Sequence, residues 1–226
     1  LEVSRLEREV KMKYILFDLD GTLTDPKEGI TKAVQYALKK HGIEVESRDE
    51  LEKFIGPSLK YSFMEFYNFS EEQALQAVED YREYFKPIGL YENEVYPGIV
   101  ALLEELHSRD MKLFIATSKP TVFASQIAAH FNIDKYFTEI VGSQLDGTRV
   151  EKDEVIGYIL AKYNLTQKDH IIMVGDRKFD ILGAKKHGLQ AIGVSYGYSE
   201  DNELEEAGAC CIADTVEQLA TYLLGD

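Results

Sequence analysis

Residues 14–25 read Tyr14-Ile15-Leu16-Phe17-Asp18-Leu19-Asp20-Gly21-Thr22-Leu23-Thr24-Asp25: a short apolar run that breaks into a stretch with three aspartates, a glycine and two threonines. An apolar run this short, followed at once by turn residues, predicts a strand buried on both faces in a parallel sheet. Asp18 and Asp20 stand two positions apart, so on extended backbone both carboxylates face one site above the strand's carboxyl end, where open α/β sheets bind their ligands. Gly21 permits the sharp exit that follows. Two like charges this close need a cation or a shared proton to relieve them, which is the situation of a metal site or an acid/base pair. Asp, Gly and Thr also favour turns, and that explains any one of these residues taken singly.

Further short apolar runs recur between longer amphipathic segments, the rhythm of an α/β protein with a parallel sheet. Strands are expected at 112–116, 139–142, 171–174, 191–194 and 211–213, and helices over 99–108, with Val100, Leu103 and Leu106 on one face, and over 155–163. From about Pro26 to Tyr96 the rhythm stops: helical signals and aromatic residues occur without a convincing strand. This predicts a helical insert, with Pro26 at one end and Pro97-Gly98 at the other. The expected organisation is a Rossmann-like core of residues 1–25 and 96–226 carrying a small α-helical cap domain of residues 26–95. Residues 1–11 read as an extension with some helical amphipathicity (Leu1, Leu6, Val10), Met12 being a plausible natural start.

The 226 residues carry 40 acidic against 25 basic side chains, a net charge of −15. That field repels a nucleic-acid backbone and an anionic membrane alike, so neither is expected as a partner. It also repels a phosphorylated metabolite, which would need locally placed positive charge or a bound metal. The two cysteines, Cys210 and Cys211, are adjacent, a spacing that rarely satisfies disulfide geometry. They read as small buried residues in a chain built for a reducing compartment, with the cytoplasm as default. No stretch approaches the roughly 18 apolar residues of a membrane span, and composition sets no oligomeric state.

Three further stretches carry chemistry. Thr117, in Ala116-Thr117-Ser118-Lys119-Pro120, stands at the end of the second strand, where its hydroxyl and the Ser118 backbone N–H can donate to phosphoryl oxygens; a helix cap is the simpler use of such a pair. In Gly175-Asp176-Arg177-Lys178-Phe179-Asp180, Asp176 and Asp180 can converge at the start of a helix, the oxygen-ligand type a hard dication such as Mg²⁺ prefers. Acidic residues at a helix start also serve the helix itself. Lys152 offers a point charge for phosphate oxygens, as Arg149 and Lys162 do equally by residue type. None of the five histidines neighbours another, so zinc has little support.

In that order, DLDGTLTD, ATSKP, a lysine near 152 and GDRKFD at strand ends resemble the haloacid dehalogenase superfamily. The likeness is to its phosphatases with a helical cap after the first motif, in a branch similar to phosphoglycolate phosphatases and nucleotidases. It spans Met12 to about Leu224. The resemblance implies Asp18 as the nucleophile that takes the phosphoryl group, Asp20 as the acid and base, and Thr117 and Lys152 as holders of the phosphoryl oxygens. It implies Mg²⁺ bound by Asp18, the Asp20 backbone carbonyl and Asp176, with Asp180 behind them or bound through water. Thr22 would orient the Asp20 loop and stand near the substrate with Ser118. Here Asp153 follows the lysine where many relatives have proline.

An aspartate at position 20 points to phosphate esters, since a departing halide needs no proton. Implied, then, is a Mg²⁺-dependent phosphomonoesterase acting on a small phosphorylated metabolite, phosphoglycolate or a nucleoside monophosphate first. A β-phosphoglucomutase-like mutase and a non-catalytic binding module are the alternatives. In capped relatives a loop near Phe54-Ile55-Gly56-Pro57-Ser58-Leu59 reaches over the site, so Gly56, Pro57 and Ser58, with Lys60 behind them, are candidate substrate contacts. An ordinary inter-helix turn would look the same. The aromatics Phe54, Tyr61, Phe63, Phe66, Tyr67, Phe69, Tyr81, Tyr84 and Phe85 are expected to be mostly core.

Overall fold

In the computed structural model, which describes residues 12–225, the opening apolar run becomes β1 (Tyr14–Phe17), and its Ile15, Leu16 and Phe17 are fully buried. The expected amphipathic extension with Leu1, Leu6 and Val10 lies outside the described residues. A two-residue strand β2 (Thr24–Asp25) follows, then α1 (Lys27–Lys40), a 3-10 helix at Arg48–Phe54, α2 (Leu59–Tyr67) and α3 (Glu71–Phe85). The chain returns through β3 (Glu94–Val95) to α4 (Ile99–Ser108), β4 (Lys112–Pro120), α5 (Thr121–His130) and β5 (Phe137–Ser143). The rest is α6 (Lys152–Lys162), β6 (Ile171–Gly175), α7 (Lys178–Lys186), β7 (Gln190–Val194), α8 (Glu203–Ala207), β8 (Cys211–Ala213) and α9 (Val216–Leu224).

Six strands form one parallel sheet in the order β5-β4-β1-β6-β7-β8. Order reverses at β1, so the carboxyl ends of β1 and β6 flank the crevice where doubly wound sheets place their ligands. Alternate residues of β1 feed opposite layers. Ile15 and Phe17 pack with Leu103, Leu106, Ile127 and Leu219 of α4, α5 and α9. Leu16 packs with Val155, Ile159, Ile181 and Ala184 of α6 and α7. No helix among the described residues is long and apolar enough to cross a membrane.

The helices between β2 and β3 bury Leu38, Phe54, Phe63 and Ala77, and their cluster is continuous with the first layer of the sheet. A carboxylate is built into it beside the buried hydroxyls of Thr31 and Ser62. Asp80 of α3 is buried and takes the Lys40 ammonium and the His41 ring, the latter at 3.0 Å. Burial pushes its carboxyl up, but Lys40 and His41 outweigh that and hold it below the usual range. Asp80→Ala should therefore lower stability at neutral pH by about 1–3 kcal/mol. A carboxyl whose folded pKa is depressed stabilises above its unfolded pKa and ceases to do so as pH falls through the folded value. The gap between parent and variant, read by denaturant melts, should accordingly close in acid.

The structure revises several expectations. β4 runs to Pro120 and β5 from Phe137 to Ser143, both longer than expected; the added end of β4 is polar, and in β5 Thr138 and Glu139 separate Phe137 from the apolar run. β3 lies within the stretch read as strandless; its antiparallel pairing with β2 joins two residues to two, too short to leave a period in sequence. On α4 the buried face is Ile99, Leu102, Leu103 and Leu106, whereas Val100 is exposed. Helix α6 begins at Lys152, three residues before the expected start, because its first turn is charged rather than apolar. Cys210 is exposed and Cys211 half-buried, since β8 is the sheet's edge strand and leaves them a free side.

Candidate active site

The loops after β1 and β6, the last residues of β4 and the first turns of α6 and α7 bring Asp18, Asp20, Thr117, Lys152, Asp176 and Asp180 into one buried cluster. After β1 the chain turns tightly: the Leu23 and Thr24 amides donate to the Leu19 carbonyl, and the Gly21 amide donates to that of Thr24. Gly21 has φ +81°, and a Cβ there would lie 2.1 Å from Asp176 Oδ2. Its hydrogen side chain thus admits a carboxylate besides permitting the turn.

Lys152, at the first turn of α6, lies 2.8 Å from Asp18 Oδ1 and 2.8 Å from Asp180 Oδ1, and donates to the Ala116 carbonyl at 3.0 Å. Neither alternative cation shares this position. Arg149 donates to the Gly142 carbonyl and lies over the Tyr158 ring, and Lys162 pairs with Glu139. Burial pulls the Lys152 ammonium down in pKa, but Asp18 and Asp180 more than reverse this and raise it.

Asp20 faces a partner that sequence reasoning missed. Lys119 Nζ lies 2.7 Å from Asp20 Oδ2 and 4.6 Å from the centre of the Phe85 ring on α3. The signal was the cation inside ATSKP, but the expected strand ended at Ala116. In the structure β4 continues with a bulge: Ala116 pairs with Val141 and Pro120 with Ser143, so Thr117, Ser118 and Lys119 are displaced from the ladder. Bulges next to active sites re-aim side chains in this way. Thr117 Oγ1 accepts from the Lys119 amide at 3.3 Å, leaving its own hydrogen to donate elsewhere. Burial raises the Asp20 carboxyl, Lys119 opposes this and Asp18 adds to it, with an upward net shift. Its Oδ1 is buried without a hydrogen-bond partner among the described residues.

Thr22 is placed differently from the expectation of a substrate contact. It is fully buried and donates to Asp176 Oδ1 at 3.3 Å, so it holds a carboxylate. The other Asp176 oxygen accepts the Tyr198 amide at 2.9 Å, from a loop after β7 that carries no recognisable motif. Burial, then Asp18 and Asp180, drive the Asp176 carboxyl well up. Burial likewise pushes Asp180 up to about 6, with Lys152 opposing and Asp18 adding.

Asp18, Asp176 and Asp180 each offer an oxygen within 4.8 Å of the others. Four buried carboxylates crowd together here against the Lys119 and Lys152 side chains, and a divalent cation would favour their ionised forms. The donor set is all oxygen, as Mg²⁺ requires.

Above these groups lies a cleft of about 730 Å³ between the sheet and the α1–α3 segment. Gly56, Pro57, Ser58, Lys60, Thr117 and Ser118 line it, and Lys60 also pairs with Glu71. Phe54, Phe63, Phe69, Tyr81 and Phe85 are buried as expected, but Tyr61 is exposed to the cleft with Met64 and Leu75.

A 5'-nucleotidase of Pseudomonas aeruginosa is 51% identical over 199 residues, covering 87% of this chain and 90% of the relative. A phosphoglycolate phosphatase of Vibrio vulnificus is 28% identical over 222 residues, covering 95% of this chain and 97% of its own. The crystal structure of a protein described as a predicted phosphatase from Clostridium acetobutylicum superposes with a TM-score of 0.93 at 50% identity, covering 96% of this chain and 100% of that one. The family described as haloacid dehalogenase-like hydrolase matches residues 15–194, from β1 through β7. The chain belongs to the haloacid dehalogenase-like hydrolase family, as one of its phosphatase-type enzymes.

Proposed function

We propose that this protein is a Mg²⁺-dependent phosphomonoesterase working through an aspartyl phosphate, with a nucleoside monophosphate as its first candidate substrate. The observation that carries this reading is the Asp18 carboxylate, held 2.8 Å from Lys152 and close to Asp176 and Asp180, with Asp20 beside it on the same turn. Asp18 attacks phosphorus; the bond to the ester oxygen breaks, its electron pair goes to that oxygen, and Asp20 supplies the proton. Asp20 then takes a proton from water as it attacks the acyl phosphate, releasing inorganic phosphate and restoring Asp18. Burial keeps Asp20 protonated to higher pH than an ordinary carboxyl, which suits the first of these steps. Lys152, the Thr117 hydroxyl and the Ser118 amide hold the phosphoryl oxygens. Asp18, Asp176, Asp180 and the Asp20 carbonyl would hold Mg²⁺, which when bound offsets charge on the transferring group.

On this reading residues 26–95 form the cap, residues 12–25 and 96–225 form the core, and Gly56 and Ser58 meet the leaving group. A cleft of about 730 Å³ with Tyr61, Met64 and Leu75 on its wall suits a nucleoside better than a two-carbon acid. The 51% identity with a 5'-nucleotidase points the same way. Phosphate release should be measured over nucleoside monophosphates, phosphoglycolate and sugar phosphates. A transfer between positions of a sugar phosphate without release would favour a mutase, and inactivity on every ester would remove the proposal.

Two expected outcomes test the chemistry. Excess chelator should stop turnover, Mg²⁺ should restore it, and Ca²⁺ should inhibit, because its larger and looser shell can take both Asp18 oxygens and remove the attacking one. Full activity in chelator would exclude the metal. Asp20→Asn should slow alkyl esters by about 10²–10⁴-fold but p-nitrophenyl phosphate much less, since only a poor leaving group needs the proton. Equal losses on both substrates would deny Asp20 the acid role.

A further inference from the structure

Arg177 stands between the two aspartates of β6–α7, and its backbone amide donates to Asp180 Oδ2 at 3.1 Å. Its side-chain donors are used beyond the β6–α7 loop, although the guanidinium stays 5.9 Å from the centre of the Phe179 ring. Nε donates to Glu203 at 3.0 Å, and Nη1 donates to the Ile55 carbonyl at 2.6 Å, across 122 positions of sequence. Glu203 is itself fixed by the amides of Lys178 at 2.7 Å and Glu200 at 2.9 Å. Arg177 and Glu203 are both buried. Ile55 opens the loop that continues through Gly56, Pro57 and Ser58 along the cleft. At Gly56, with φ +103°, a Cβ would lie 2.6 Å from Arg177 Cγ, so loop backbone rests on the arginine stem.

The buried Arg177–Glu203 pair, at 3.0 Å, is weak evidence of a stabilising role, and the contact its guanidinium adds to the Ile55 carbonyl is a geometric one. We propose that Arg177 is a positioning residue: braced by Glu203, it fixes the cap loop Ile55–Ser58 over the cleft and ties that loop to the turn carrying Asp176 and Asp180. Arg177 sets how the leaving group is read without touching the phosphoryl group. This rests on the phosphatase reading above for its kinetic half only.

The test combines kinetics with hydrogen exchange on the full chain. In Arg177→Met, kcat/KM for a nucleoside monophosphate should fall about ten- to a hundredfold, mainly through KM, because a loop displaced by an ångström no longer aligns its contacts. Turnover of p-nitrophenyl phosphate, which has no nucleoside to align, should stay within about threefold, and the Mg²⁺ concentration for half-activation within about twofold. Amides of Ile55, Gly56 and residues 58–60 should exchange faster while those of β1 and β6 do not change. Arg177→Lys, which keeps a donor but cannot span both partners, should fall between. Equal losses on both substrates, a shifted Mg²⁺ requirement, or parental exchange in the loop would each overturn the proposal. Should Arg177→Met fail to fold, Glu203→Gln removes the brace and carries the same expectations. Failure of the phosphatase reading appears separately, as parental protein inactive on every ester, and the exchange measurement still decides the latch.

Discussion

Asp18→Asn should release no measurable phosphate from any ester, a loss of about 10⁴-fold or more, while folding at least as well as the parent. The amide keeps the shape of the side chain but cannot attack phosphorus. Asp18 is buried beside Lys152 at 2.8 Å, among four carboxylates that share two lysines. Burial raises the Asp176 and Asp180 carboxyls, and the Asp18 charge adds to both shifts. Removing that charge eases repulsion, so the melting temperature of the chelator-treated variant should not fall below that of parental protein treated alike. Substantial turnover would require another nucleophile, and a clear drop in melting temperature would show that the Asp18–Lys152 attraction outweighs the repulsion.

Lys152→Ala should depress kcat by about two to three decades with every substrate, the size expected when a preorganised charge is taken from a transferring phosphoryl group. Here stability should fall as well. The ammonium meets Asp18, Asp180 and the Ala116 carbonyl, so its loss leaves two carboxylates and a carbonyl buried without their cation. Breaking a buried pair from one side costs about 3–5 kcal/mol. Thus the two variants separate in calorimetry although both lose activity. A defect confined to some substrates would move Lys152 from phosphoryl holder to leaving-group contact, and unchanged stability would mean that water replaces it.

Much of this site is legible in sequence because parallel strands are short, apolar and end where polar residues begin. Asp18 and Asp176 directly follow such ends, and the ATSKP stretch begins where the apolar part of β4 stops, so their shared location follows from local pattern. Lys119 is not legible in that way, because the bulge that lifts it from β4 depends on pairing with β5. Nor is Tyr61: among aromatics at helical spacing, only the packing of α2 on its neighbours separates it from buried Phe63.

The chain pattern by itself thus determined the α/β class, the six core strands, the helical stretch between β2 and β3, and the carboxylates at the strand ends. These are consequences of periodicity and of turn chemistry, which act over a few residues. Tertiary structure alone decided the partners. It set Lys152 between Asp18 and Asp180, Lys119 on Asp20, Thr22 on Asp176 and Arg177 on the Ile55 carbonyl. Each of these contacts joins residues far apart in the chain, whose distance in space is fixed by strand order, by a bulge and by the fold of a helical segment back over the sheet. A hydrogen bond or ion pair depends on fractions of an ångström in that placement, and no local pattern encodes it.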